Sequence, residues 1–159
     1  MGYCRSRVCA TLENHWLFSL DHPMIRLVVF DAYGTLFDVY SIAELAEQLF
    51  PGQGSALSVL WRDKQIEYSR LVSLSDPITP MGSRHYQSFW DLTRLALQYS
   101  CQRLQLTLTP AMQKQLMDQY AQLKPFAETL EVLKALNGKR LRCAILSNGS
   151  PDMLQAAVH

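Results

Sequence analysis

The chain carries almost no charge imbalance: 15 Lys and Arg stand against 14 Asp and Glu, a formal net charge of +1. With no basic excess and no run of Lys or Arg, it gives no reason to expect nucleic acid or an anionic membrane as a partner. Long apolar runs are also missing. Nothing approaches the roughly 20 residues of a membrane-spanning helix. After Arg5 and Arg7 only Trp16-Leu17-Phe18 follows before His22-Pro23, too little for the hydrophobic region of a secretory signal. Cysteine is scarce, and Cys4, Cys9, Cys101 and Cys143 have no disulfide-framework spacing; the cytosol is the default expectation. Cys4, Cys9, His15 and His22 lack the close cysteine pair of a zinc site, so no metal is expected there. Gly and Pro, at seven each, are few, and 48% of residues are apolar. Wholesale disorder is thereby excluded, and a domain with a real core is expected.

Residues 1–24 read as an unstructured N-terminal extension. Residues 25–30 (IRLVVF) then form a short, nearly continuous apolar run rich in β-branched side chains, the pattern of a strand buried on both faces of a parallel sheet. Residues 141–146 (LRCAIL) form a second. Between them the periodicity is helical: Ile42 to Phe50, Ser55 to Leu74, Ser83 to Gln102, Thr109 to Leu123 with Thr109 as N-cap and Pro110 at the first helical position, and Pro125 to Leu136, ended by Asn137-Gly138. Asp76 to Gly82 is a loop by composition. Ser150-Pro151-Asp152 opens a last helix with Met153, Leu154, Ala157 and Val158 on its apolar face.

Two parallel strands need one crossover, usually a single helix. About a hundred residues intervene here, so an inserted helical unit is expected. The fold class is therefore α/β: a parallel-sheet core, incomplete in this chain, with an inserted helical unit. Two strands do not make a stable doubly wound sheet, so further strands are expected beyond His159.

The first strand ends in VVFDAYGT. Asp31 thus falls at the carboxyl end of a strand, where open α/β sheets place ligand sites. It could cap the following turn or serve as a nucleophile at a crevice; position alone does not decide. The second strand ends in Ser147-Asn148-Gly149-Ser150-Pro151, a turn and N-cap whose backbone N–H groups could also hold an anion. Two polar strand ends on one sheet edge favour a site.

The segments FDAYGTLFD and ILSNGSP, with LWRDKQIEY in the helical insertion and Lys124-Pro125-Phe126 on the return to the core, resemble the haloacid dehalogenase superfamily, and within it the L-2-haloacid dehalogenases. The resemblance covers residues 25–159 and implies a Rossmann-like core of residues 25–37 and 123–159 with residues 38–122 as a helical cap. It implies that Asp31 attacks C2 of a 2-haloacid, forming an ester that water then hydrolyses. It implies a halide cradle of Arg62 and Asn148, and Thr35 holding the Asp31 carboxylate in line. The substrate carboxylate would meet the Ser147 hydroxyl and the N–H groups of Ala32 and Tyr33, with Ile66 and Phe89 as apolar pocket residues. No cofactor is implied. The family is commonly dimeric, so a homodimer is an option by resemblance. Asp63 stands where a neutral residue is expected, and the Ser75 to Gly82 loop is longer than the family's typical connection.

Phosphatases of the superfamily carry D-x-D, whose second carboxyl protonates the leaving alcohol while Mg²⁺ offsets phosphoryl charge. That place is Tyr33 here. A phenol, with a normal pKa of roughly 10, is a poor acid at neutral pH, which disfavours the phosphatase alternative. The resemblance also implies a lysine facing Asp31 and a later Asn/Asp cluster, both from beyond His159, so the 159-residue chain is expected to turn over little or not at all; a non-catalytic fragment is the alternative of another class.

Overall fold

A computed structural model of the chain describes residues 25–75 and 84–158. The N-terminal extension with its Cys and His residues, and the Asp76 to Gly82 loop, lie outside these. Strand β1 (Leu27–Phe30) leads through a tight turn and a 3-10 segment (Val39–Ile42) into helices α1 (Ala43–Leu49), α2 (Gly54–Leu74), α3 (Phe89–Arg103), α4 (Pro110–Tyr120) and α5 (Thr129–Gly138). Strand β2 (Arg142–Ile145) and helix α6 (Pro151–Val158) complete the described chain. The strands pair in parallel, with Leu27 opposite Arg142 and Phe30 opposite Ile145. The expected strand, helical insertion and parallel strand are all present.

Helix boundaries follow local capping chemistry. Thr109 caps α4 as expected, its hydroxyl accepting from the Met112 N–H. Helix α3 begins at Phe89, six residues later than the periodicity suggests, because Ser88 forms a reciprocal cap: its hydroxyl accepts from the Asp91 N–H at 3.0 Å and donates to the Asp91 carboxylate at 2.6 Å. Helix α5 starts at Thr129 rather than Pro125 and runs through Gly138; the left-handed position past its end is taken by Arg140, with φ +59°.

The core lies among the helices, not on the sheet. Helix α2 packs against both α1 and α3, and Ile42, Leu57, Trp61, Leu97 and Leu116 are fully buried there. The expectation of strands buried on both faces is not met. Val29 is 50% exposed, and all of β2 except the half-buried Ile145 is exposed. With one neighbour each, and among the described elements only α5 packed appreciably on them, the strands keep open edges and faces. An apolar groove of about 890 Å³ runs beside Phe30, Leu133, Ile145 and Leu154. Residues 124–129 tie the return chain to the β1 turn: the Lys124 carbonyl accepts from the Asp38 N–H, and the Leu36 carbonyl accepts from the Phe126 N–H and the Thr129 hydroxyl.

Candidate active site

The turn after β1 is built around one carbonyl. The Ala32 oxygen accepts from the N–H groups of Thr35, Leu36 and Phe37, at 3.3, 2.9 and 3.0 Å. This winds the chain tightly and leaves Asp31 exposed at the strand end while Ala32 is fully buried. Among the described residues no hydrogen bond or ion pair engages the Asp31 carboxylate. Nor do the Ala32 and Tyr33 N–H groups enter a backbone hydrogen bond there. A carboxylate followed directly by two uncommitted donors suits a nucleophile with an anion held beside it. Gly34 makes the turn at φ +96°, and a Cβ there would stand 3.2 Å from Arg62 Nη2. Both the backbone and the close arginine therefore favour glycine.

Arg62 reaches this turn from α2. Its Nη2 donates to the Tyr33 carbonyl at 2.9 Å and its Nη1 to the Gln65 side-chain oxygen at 2.7 Å. Both acceptors are neutral, so the guanidinium keeps its full charge for an anion. Behind it lies a buried polar cluster. Gln65 Oε1 also accepts from the Tyr120 hydroxyl at 2.9 Å, Gln65 Nε2 donates to the Thr93 hydroxyl, and Trp61 Nε1 donates to the Thr93 carbonyl at 2.8 Å.

Tyr33 packs rather than titrates. Its ring lies nearly parallel to Tyr120, with centroids 6.0 Å apart, and 5.6 Å from Phe89. Burial pushes its pKa up to about 12, aided by the neighbouring Tyr120 and Asp31. Its hydroxyl is buried with no hydrogen-bond partner among the described residues. The second strand end closes against this ring: a Cβ on Gly149 would stand 2.8 Å from Tyr33 Cε2. Without that glycine, Ser147 and Asn148 could not be brought so near the first loop.

A cavity of about 190 Å³ collects Asp31, Tyr33, Arg62, Ile66, Phe89, Ser147 and Asn148. Ala32 is fully buried and does not line the cavity. Thr35 is exposed and does not line the cavity; its N–H closes the turn, and among the described residues no hydrogen bond joins its hydroxyl to Asp31. Ser69 and Arg70 also line the cavity and were not anticipated. The signal was there: Arg62, Ile66, Ser69 and Arg70 fall at helical i, i+4, i+7 and i+8 spacing, one face of α2. Among the described residues no group of three or more His, Cys, Asp or Glu is placed to hold a metal ion.

A strand-end carboxylate, free backbone donors beside it and an arginine reaching in from a helical insertion thus meet at one edge of an α/β fold. The chain belongs to the haloacid dehalogenase-like hydrolase family, whose profile matches residues 25–159. It is 44% identical over 135 residues to the (S)-2-haloacid dehalogenase of Xanthobacter autotrophicus, covering 85% of this chain and 49% of that protein. It is 41% identical over 134 residues to the (S)-2-haloacid dehalogenase of Pseudomonas sp. (strain YL), covering 84% of this chain and 54% of that one. A crystal structure of an L-2-haloacid dehalogenase superposes with a TM-score of 0.77 at 56% identity, covering 84% of this chain and 57% of that chain. The Xanthobacter autotrophicus enzyme with chloropropionic acid covalently bound superposes with a TM-score of 0.73 at 42% identity, covering 85% and 51%. The chain spans about half the length of the curated relatives it matches.

Proposed function

We propose that the site belongs to a hydrolytic dehalogenase converting (S)-2-haloacids to (R)-2-hydroxyacids. The observation that carries this is that Arg62 and Asn148 line one small cavity together with Asp31, with Tyr33 where a phosphatase needs a second carboxyl. In the first step an Asp31 carboxylate oxygen bonds to C2 as the C2–halogen bond breaks, its electron pair leaving with the halide. Halide needs no proton, only charge stabilisation, and Arg62 with the Asn148 amide supplies donors for it. Displacement in line inverts C2. Water then attacks the Asp31 ester carbonyl, so the C2–O bond survives and the hydroxyacid keeps the inverted configuration.

The Ser147 hydroxyl and the free N–H groups of Ala32 and Tyr33 hold the substrate carboxylate away from Asp31, and Ile66 and Phe89 enclose its alkyl part. Thr35 has its role by resemblance alone. Residues 38–122 act as a cap over the core of 25–37 and 123–159. A cytosolic location and a homodimer also belong to this reading; the first is supported by the scarcity of cysteine, and no described helix is long and apolar enough to cross a membrane. No lysine lines the described cavity to neutralise Asp31, so turnover by the 159-residue chain is expected to be slow at most.

Halide release from (S)-2-bromopropionate tests the reaction. Release is expected to be slow at most, and whatever is released should be unaffected by excess EDTA and absent in Asp31→Asn. Mg²⁺-dependent phosphate release from a phosphate monoester, with none of bromide, would overturn it.

A further inference from the structure

We propose that Gln65 is a positioning residue that fixes the Arg62 guanidinium for the departing halide, an inference that rests on the dehalogenase reading of the site. The polarity of its amide follows from its neighbours. The Thr93 hydroxyl donates its single proton to the Phe89 carbonyl at 2.7 Å, so toward Gln65 it can only accept. The amide NH₂ must therefore face Thr93, which turns the oxygen toward Arg62 and the Tyr120 hydroxyl. A guanidinium offers only donors, so this is the one orientation in which all the contacts are satisfied. Gln65 and Thr93 are both fully buried, and the amide therefore has no solvent-relaxed alternative.

The chain of bonds runs from the α3 backbone through Thr93 and Gln65 to Arg62, and from Arg62 to the Tyr33 carbonyl in the nucleophile's turn. It links the helical insertion to the strand end carrying Asp31 across a cation. Because Gln65 is neutral, it orients Arg62 without cancelling its charge. A carboxylate of the same shape would orient the guanidinium equally well and neutralise it. Gln65 touches neither the cavity nor the reacting atoms, so its effect is exerted through Arg62.

The test is bromide binding, followed by NMR line broadening of the anion on the folded chain, with Arg62→Ala as reference. Gln65→Met keeps the volume but removes the acceptor, and bromide binding is expected to weaken by about tenfold, the scale of one charged hydrogen bond. Gln65→Glu gives the sharper readout. Its bromide affinity should be weaker than the parent's at neutral pH, and the gap should close as the pH falls and the new carboxyl is protonated, beyond whatever pH dependence the parent itself shows. A merely structural glutamine would not create that pH dependence. If Gln65→Met fails to fold, Gln65→Glu alone decides. Bromide binding that is lost in Arg62→Ala but in Gln65→Glu equals the parent's at every pH would overturn the role of Gln65. Binding unchanged in Arg62→Ala would instead overturn the halide role of Arg62 on which it rests.

Discussion

At the scale of single residues, Tyr33 does most to define the site. Its position two residues after Asp31 removes the acid that phosphoryl transfer requires, and its ring forms the surface on which Phe89, Tyr120 and the Gly149 turn converge. The sequence pointed to that position but not to the orphaned hydroxyl, which depends on packing between distant elements. A buried hydroxyl without a partner carries an uncompensated desolvation cost. Tyr33→Phe is therefore expected to raise stability by about 1 kcal/mol in urea titrations at pH 7; a loss of similar size would mean the hydroxyl is bonded. The raised pKa has a signed consequence as well. The folded state holds the phenolic proton up to about pH 12, while the unfolded chain releases it near 10. The stability tied to that proton is complete below pH 10 and is lost as the pH rises toward 12. The fall over that window should be smaller in Tyr33→Phe, with buried Tyr120, also shifted upward by burial, accounting for part of what remains.

Among elements, α3 shows how capping sets the site. Its first residue, Phe89, packs on Tyr33, and its first full turn delivers Thr93 to Gln65. Periodicity placed the helix correctly but started it too early, because an apolar pattern does not register a Ser-x-x-Asp cap until hydrogen-bond geometry is seen. Ser88→Ala should cost about 1 kcal/mol of stability, measured by thermal or urea unfolding; no change would mean that Asp91 alone holds the helix start. Helix α2 was legible in full, and Arg62 with it. Its partner Gln65 was quoted within the motif but not assigned a role, since nothing in a linear spacing reveals that an amide sits between an arginine and a tyrosine 55 residues further on.

For the whole molecule, the parallel pairing of β1 and β2 and the long helical insertion were readable from two apolar runs and the distance between them. Open apolar edges were readable as well, since a two-stranded sheet leaves each strand one free edge; the exposure of the strand faces was not, because burial depends on what covers a sheet rather than on what composes a strand. Leu27 and Val29 face outward, while Phe30 and Ile145 border the apolar groove. Open edges and apolar faces of this kind invite pairing between chains. Light scattering of the 159-residue chain should accordingly show association that grows with concentration and is reduced by Val29→Lys. A chain that stays monodisperse at high concentration would mean these faces are covered in solution.

Asp31 as the nucleophile is the centre of the proposed reaction. Its most direct measurement is peptide mass spectrometry after incubation with (S)-2-bromopropionate. A substrate-derived ester on Asp31 is expected, formed from the (S) but not the (R) enantiomer and missing in Asp31→Asn. Bromide released with Asp31 unmodified, or an adduct that survives in Asp31→Asn, would contradict it.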